Sequence, residues 1–110
     1  MAQSGDFLRG HTETIILRLL LDGDSYGYEI SKNIVERGMG LIDIKDATIY
    51  TAFRRMENDG LLATYWGEGA GGARRRYYSI TEKGRKLYEE KKAEWQKLRT
   101  VLDNLILGGK

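Results

Sequence analysis

Hydrophobic residues along this chain recur with the spacing of amphipathic helices, except in two short segments beyond its middle. The first helical stripe covers residues 6–21 and consists of Leu8, Ile15, Ile16, Leu17, Leu19 and Leu20. Turn-forming residues 22–24 end this stripe, and Ser25 can cap a second helix over residues 26–37. The pattern therefore begins with two helices joined by a short turn.

A third helix is predicted over residues 46–59, after a break at Gly38 and Gly40 and before a stop at Gly60. Its predicted buried face consists of Ile49, Ala52, Phe53 and Met56. At about 100° per residue, the opposite face carries Ala47, Thr51 and Arg54, flanked by Thr48, Tyr50 and Arg55.

Residues 61–66 and 75–80 are rich in aromatic and β-branched side chains and flank a glycine-rich stretch, which predicts a hairpin. Thr81 can cap a last helix over residues 82–107, about 40 Å long. The order of three helices, a hairpin and a long helix is typical of a winged helix-turn-helix. We predict a mainly α (α+β) fold with a two-stranded wing: a winged helix-turn-helix DNA-binding domain over 6–81 and a C-terminal dimerisation helix over 82–107.

The glycine-rich stretch contains the pattern G-x-G-x-x-G at Gly67, Gly69 and Gly72, which also occurs in dinucleotide-binding proteins. A dinucleotide site requires these glycines to precede a helix, whose amino end binds the pyrophosphate. Here arginines, tyrosines and an alternating strand pattern follow instead, over residues 74–80. We therefore interpret the glycines as the slim tip of a hairpin, where positive φ angles are needed.

Three consecutive arginines, Arg74, Arg75 and Arg76, emerge at the base of this tip. Alternation places Arg74 and Arg76 on one face of the strand and Arg75 on the other. One interpretation is that these arginines contact DNA phosphates or a minor groove. An equally good interpretation is that they form a solvated patch that protects the edge strands from aggregation.

The exposed face of the third helix makes DNA contact the favoured interpretation. It offers hydroxyls, an aromatic ring, guanidinium groups and a small residue, whereas an ordinary solvent face holds Glu and Lys more often. The residues predicted to contact DNA are Lys45, Ala47, Thr48, Tyr50, Thr51, Arg54, Arg55, Arg74, Arg75 and Arg76.

The composition excludes several other classes of function. The 110 residues suffice for one domain, and a net charge of +2 does not by itself identify a partner. With no cysteine and one histidine, the chain has little material for a transition-metal site, and we expect no cofactor. It has no apolar run that spans a bilayer and no signal peptide, so we expect a cytoplasmic protein with no membrane partner. No nucleophile–base or paired-acid pattern indicates an enzyme.

Three ordered segments resemble the PadR family of transcriptional regulators. They are SYGYEI at residues 25–30, ATIYTAFRRMENDGLL at residues 47–62 and RRRYYSITEKG at residues 74–84. The resemblance extends over residues 6–107 and is strongest to the small subfamily with a single C-terminal helix, which includes multidrug-sensing repressors. It implies a homodimeric repressor that binds double-stranded DNA.

The last helix carries more apolar surface than a winged-helix core can cover. We therefore predict a two-fold dimer in which this helix and the first helix pack against a second copy, as the resemblance also implies. The predicted interface consists of Leu8, Ile15, Leu98, Val101, Leu102 and Leu105. Such a dimer presents two recognition helices about 34 Å apart, matched to an inverted-repeat operator. A dimeric helical protein-interaction module that does not bind DNA is the alternative.

Trp95 has two interpretations, an anchor of the dimer interface or a platform for an aromatic ligand. The resemblance implies that a flat aromatic effector stacks on Trp95 between the subunits and releases the DNA. The other residues that it implies for this effector site are Phe7, Gly10, Thr14, Leu17, Lys91 and Leu98. Lys91 and Arg99 depart from the similar repressors and favour anionic aromatic compounds such as phenolic acids. Ala73 replaces a glycine of their wing.

Overall fold

The computed structural model describes residue 8 and residues 10–108. The chain folds in the predicted order of three helices, an antiparallel hairpin and a long helix, which confirms the predicted winged helix-turn-helix. The elements are α1 (Thr12–Leu21), α2 (Gly27–Arg37), α3 (Asp46–Asn58), β1 (Leu62–Glu68), β2 (Arg74–Ile80) and α4 (Glu82–Ile106).

The core lies where α1, α2 and α3 meet the base of the hairpin. The predicted buried face of α3 is confirmed, since each of its four side chains is at most 2% exposed. Phe53 stacks on Tyr78 of β2, with ring centroids 3.9 Å apart and an interplanar angle of 21°. This stack joins α3 directly to the hairpin. The remaining core residues are Ile16, Leu17, Leu19, Leu20, Ile30, Ile34, Ile44, Leu61 and Leu62.

Helix α1 begins six residues later than the hydrophobic pattern predicts, at Thr12 instead of residue 6. Gly10 adopts a left-handed backbone with φ of 86°, which interrupts a helix. The His11 amide donates to the Leu8 carbonyl at 2.8 Å and forms a turn ahead of α1. Residues 1–7 and 9 lie outside the described part of the chain.

Ser25 does not cap α2, so this prediction is wrong; the N-cap residue is Tyr26. The Ser25 amide donates to the Tyr78 carbonyl at 3.1 Å, and the Tyr78 amide donates to the Ser25 carbonyl at 2.7 Å. The Ser25 hydroxyl donates to the Glu29 carboxylate at 2.5 Å. Ser25 therefore ties the turn between α1 and α2 to the hairpin, a long-range pairing that local sequence does not reveal.

The hairpin pairs β1 with β2 in register from Leu62 opposite Ile80 to Glu68 opposite Arg74. Strand β1 continues past its predicted end and includes Gly67. Positive φ angles occur at Gly71 (72°) and Gly72 (81°), which form the turn. Gly67 and Gly69 are not among the left-handed glycines, so the turn does not explain them.

The junction between α3, β1 and α4 is held by hydrogen bonds around Thr81. Its side chain accepts from the Gly84 amide at 3.1 Å, which confirms the predicted cap of α4. The same hydroxyl donates to the Gly60 carbonyl at 2.7 Å, just after α3. Gly84 is buried, and a Cβ atom there would lie 2.4 Å from the Leu61 carbonyl oxygen. The lack of a side chain at Gly84 therefore lets the start of α4 approach the turn between α3 and β1.

Helix α4 packs against the core only through its first half. Leu87 and Tyr88 are partly buried against the core cluster. From Trp95 onward, the apolar side chains on α4 are exposed, by 40% at Leu98 and 74% at Leu105. The helix extends the molecule to 56 × 34 × 21 Å and leaves an uncovered apolar face along its second half.

We expect Gly84→Ala to destabilise the fold by about 1–3 kcal/mol, because the methyl group overlaps the Leu61 carbonyl and the Ile80 side chain. Helix propensity alone predicts the opposite sign, since alanine is favoured over glycine by about 1 kcal/mol inside helices. Urea unfolding at one fixed protein concentration measures the change. Lys86→Ala, at an exposed position of the same helix, is the control and should shift stability by less than about 0.5 kcal/mol. An unchanged or higher stability of Gly84→Ala would contradict the close approach of α4 to Leu61 and Ile80.

A candidate nucleic-acid interface

One face of α3 is open to solvent along its full length. Helices α1 and α2, strand β1 and Tyr78 of β2 lie against the other side of this helix. The predicted DNA-contacting residues at its start and along its open face are all exposed: Lys45, Ala47, Thr48, Tyr50, Thr51, Arg54 and Arg55.

Tyr50 is fixed on this face by two contacts. Its ring packs edge-to-face on Phe53, with centroids 5.8 Å apart. Its hydroxyl occupies the space beside Gly27, where a Cβ atom would lie 2.2 Å from the phenolic oxygen. Glycine at position 27 therefore lets the Tyr50 ring lie across the start of α2, while the ring stays 47% exposed.

The two arginines of α3 point to different surroundings. Arg54 is exposed and lines the cleft between α3 and the hairpin. Arg55 forms an ion pair with Glu13 of α1, although its side chain remains 61% exposed. Arg54 is thus directed toward the hairpin, whereas Arg55 is directed back toward the scaffold.

The three hairpin arginines contact the protein in different ways. Arg74 lies over the Trp66 ring at 5.3 Å, and Arg76 forms an ion pair with Glu57 of α3 at 3.2 Å. The Arg75 guanidinium lies 4.2 Å from the centre of the Tyr26 ring. These contacts agree with the predicted alternation, since Arg75 faces a different set of partners from Arg74 and Arg76.

The open face of α3 and the hairpin arginines border one cleft of about 640 Å³. Among the described residues that line it are three guanidinium groups and one carboxylate, that of Glu57, so its charge favours an anionic partner. Tyrosine rings form much of the remaining wall. The lining residues are Tyr26, Gly27, Tyr28, Tyr50, Arg54, Glu57, Arg75, Arg76 and Tyr78.

Tyr26 and Tyr28 belong to this cleft but are missing from the predicted DNA-contacting residues. Tyr26 contacts Arg75, and Tyr28 is 71% exposed at the start of α2. The sequence feature that could have identified both tyrosines is the SYGYEI segment, one of the three segments that carry the resemblance. Their place beside the hairpin depends on the pairing of Ser25 with Tyr78.

The tilt of the hairpin is set by further contacts with the turn before α2. The Tyr65 hydroxyl donates to the Asp24 carboxylate at 2.6 Å. This hydrogen bond raises the pKa of Tyr65 above its ordinary value, because ionising the phenol would remove the donor next to a negative charge. The Tyr77 ring stacks on Tyr65, with centroids 5.5 Å apart, and meets Tyr26 edge-on at 5.5 Å.

A second recess, of about 350 Å³, lies between α1, the end of α2 and α4. Its walls are mostly apolar, and Arg18, Arg37 and Lys92 are among its lining residues. Trp95 borders this recess and packs edge-to-face on His11, with centroids 5.5 Å apart. His11 is a contact of Trp95 that the sequence does not reveal.

The residues that the resemblance implies for an effector site are only partly brought together. Trp95 and Thr14 line the same recess, while Lys91 is half-buried on α4 and pairs with Glu94 at 3.8 Å. Gly10 and Leu98 are exposed. The effector-site role implied for Leu17 is wrong, because this side chain is 0% exposed inside the core and contributes no surface to a ligand. Phe7 lies outside the described residues.

The predicted interface residues form two groups in the single chain. Leu8 and Ile15 are partly buried and line the recess next to Trp95. The α4 group, Leu98, Val101, Leu102 and Leu105, is exposed.

Within residues 10–108, no helix has both the length and the apolar character needed to cross a lipid bilayer.

The Transcriptional regulator PadR-like family matches the chain over residues 16–90. A transcriptional regulator of Clostridium thermocellum is similar in structure: its TM-score is 0.84 at 46% identity, covering 92% of this chain and 98% of that one. A PadR family transcription regulator of hypervirulent Clostridium difficile has a TM-score of 0.78 at 35% identity, over 88% of this chain and 99% of its own. An uncharacterized protein of Lysinibacillus sphaericus is 40% identical over 103 residues, which are 94% of each chain. The chain therefore belongs to the PadR family of transcriptional regulators, and it is a DNA-binding regulator with a winged-helix fold.

Proposed function

We propose that this protein is a homodimeric transcriptional repressor that binds an inverted-repeat operator and releases it when an aromatic effector binds. The observation that carries the proposal is the shared cleft, in which Arg54 of α3 and Arg75 and Arg76 of the hairpin line one surface. A helix and a wing that border one cationic cleft fit a duplex, because the helix enters the major groove while the wing reaches the adjacent backbone.

In this proposal α3 reads bases and the hairpin binds the backbone or the minor groove. Thr48, Tyr50 and Thr51 offer hydroxyl groups, and Ala47 allows close approach of the helix to the base edges. Arg54, Arg75 and Arg76 neutralise phosphates around the cleft. Arg74 and Lys45 are exposed at the ends of this surface and extend it along the backbone.

Dimerisation through α4 is supported by the apolar face of its second half. Leu98, Val101 and Leu102 are between 38% and 45% exposed in the single chain. A contiguous apolar surface of this kind marks an interface, because leaving it in water costs free energy that association recovers. A two-fold axis near α4 places two copies of α3 about one turn of DNA apart, roughly 34 Å.

The proposed effector site lies at Trp95, where the recess, α4 and the proposed interface meet. The exposed indole offers a stacking surface, and Lys91, Lys92 and Arg99 nearby along α4 favour an anionic aromatic compound over a cationic one. Such a compound releases DNA only if it binds more tightly to a dimer geometry in which the two α3 helices no longer match the half-sites.

We expect Arg54→Ala and Arg75→Ala each to weaken binding to the DNA upstream of the protein's own gene by about tenfold or more, because each removes a charged contact with the duplex. Fluorescence anisotropy over a salt series measures the affinity. The dependence of log affinity on log salt should become less steep by about 1 for each phosphate that the variant no longer neutralises. Lys86→Ala removes a cation from the exposed side of α4 and serves as the control. Specific binding that both arginine variants leave unchanged would refute the assigned interface.

We expect Leu102→Glu to convert the dimer into monomers, because it places a charge on the apolar face of α4. Ala93→Glu is the matched control: nine residues away at about 100° per residue, it lies on the opposite side of the helix. Sedimentation equilibrium over a dilution series gives the mass of each variant. A wild-type chain that is monomeric at micromolar concentration rules out the proposed dimer.

We expect a flat aromatic carboxylate to quench Trp95 fluorescence and to weaken DNA binding by the same factor by which DNA weakens carboxylate binding. Trp66→Phe leaves Trp95 as the sole tryptophan, and Trp95→Phe leaves only Trp66. Quenching should persist in the first variant and disappear in the second. Quenching that leaves DNA affinity unaltered would argue against an effector role for this site.

A further inference from the structure

Two glycines of the hairpin, Gly67 and Gly69, have a role that the turn does not explain. Gly67 lies inside β1, and Gly69 has an extended backbone with φ of −104° and ψ of −174°, which any residue adopts. The space around them is nevertheless filled. A Cβ atom on Gly67 would lie 2.7 Å from the Tyr77 ring, and one on Gly69 would lie 2.8 Å from Cγ and 2.6 Å from Nε of Arg75.

The register of the hairpin explains this packing. Gly67 is paired with Arg75 across the strands, and Tyr65 is paired with Tyr77. Residues 65, 67 and 69 therefore share one face of the sheet with Tyr77 and Arg75. Each of these two side chains leans toward the hairpin tip and covers the glycine beyond its own partner, Tyr77 covering Gly67 and Arg75 covering Gly69.

The guanidinium end of Arg75 is held by an aromatic ring from another element. It lies 4.2 Å from the centre of the Tyr26 ring, a cation–π distance. Tyr26 is itself supported, because Tyr77 meets it edge-on at 5.5 Å and stacks in turn on Tyr65. Arg75 is half-buried by these contacts, whereas Arg74 and Arg76 on the same strand are exposed.

We propose that Gly69 and Tyr26 are positioning residues for Arg75, holding its guanidinium at the mouth of the cleft before DNA arrives. The inference rests on the proposed function, in which Arg75 contacts a phosphate. Gly69 has no side chain, so the Arg75 side chain can lie directly along its backbone. The Tyr26 ring contacts the guanidinium group at the end of this side chain. An arginine held in this way loses less conformational freedom on binding than a free surface arginine does.

A single methyl group at position 69 tests this arrangement selectively. The backbone of Gly69 accepts alanine without strain, so the fold should persist. Because the overlap includes Cγ, the second side-chain carbon of Arg75, relief requires a rotation about χ1 that displaces the whole side chain from the Tyr26 ring.

The experiment is a double-mutant cycle on DNA binding, with Gly69→Ala, Arg75→Ala and the two combined, each measured by anisotropy over a salt series. We expect Gly69→Ala to weaken binding in the same direction as Arg75→Ala, by up to about tenfold, and to lower the salt dependence by about 1 per subunit. In the Arg75→Ala background, Gly69→Ala should have no further effect, because the group that it displaces is absent. Ala63→Ser adds one heavy atom at an exposed position of the same face of β1 and should leave affinity unchanged.

Two Tyr26 variants separate positioning from general packing. Tyr26→Phe keeps the ring under Arg75, so in this background Gly69→Ala should still weaken DNA binding by the factor that it has in the wild type. Tyr26→Leu keeps an apolar side chain without a π face and should reproduce the loss of affinity seen in Gly69→Ala. In the DNA-free protein, the Arg75 side-chain proton resonances should show an upfield ring-current shift that Gly69→Ala and Tyr26→Leu both remove.

The outcomes distinguish this inference from the proposed function. If Arg75→Ala weakens binding while Gly69→Ala alters neither affinity nor salt dependence, the positioning role is refuted and Arg75 remains a DNA contact. Additive losses in the double variant also refute it, because Gly69 then acts through another group. If Arg75→Ala binds like the wild type, Arg75 is not a contact, and both the assignment and the inference that rests on it fail.

Discussion

The stack of Phe53 on Tyr78 is the contact on which the proposed DNA-binding surface depends. It packs Phe53 of α3 against Tyr78 of β2, with ring centroids 3.9 Å apart, and so helps to fix the angle between α3 and the hairpin. Tyr78 is held on its other side by backbone pairing with Ser25, which brings the start of α2 to the same edge of the sheet. One aromatic pair in the core therefore places three elements around the cleft, and the polar residues that line it occupy positions that the core imposes.

The arginines of this surface differ in how free they are to leave their intramolecular partners. Arg55 and Arg76 are paired with carboxylates, which a phosphate must replace, so part of the attraction to DNA is offset by the broken ion pair. Arg75 lies over an aromatic ring and can keep this contact while it binds an anion, because a phosphate accepts from the N–H groups at the edge of the guanidinium plane and the ring does not occupy them. Arg75 and Arg76 carry the same charge, but their intramolecular partners make their expected contributions to DNA affinity unequal.

The uncovered apolar face of α4 connects the two ends of the proposed mechanism. The helix is anchored to the core through its first half and extends away from it. In the proposed dimer, a change in how the two α4 helices pack is therefore transmitted to the attached α3 helices as a rigid-body rotation. Trp95 lies where the anchored half of α4 meets the exposed half, beside His11 and the recess lined by α1. In the proposed mechanism, a ligand at this place acts on the packing of the two α4 helices with little disturbance of the winged-helix core.

The sequence by itself determined the order of the elements, the buried face of α3, the cap at Thr81 and the membership of the PadR family, because periodicity, helix capping and short motifs are local properties of the chain. Tertiary structure alone decided the pairing of Ser25 with Tyr78 and the position of Leu17 inside the core instead of on a surface open to a ligand. It also decided what the G-x-G pattern does: Gly67 and Gly69 have the spacing of a phosphate-binding loop, yet the side chains that pack against them come from the opposite strand. Which side chain covers a glycine depends on the register between two strands and on a ring from a distant helix. These are long-range contacts, and the local pattern of a sequence carries no information about them.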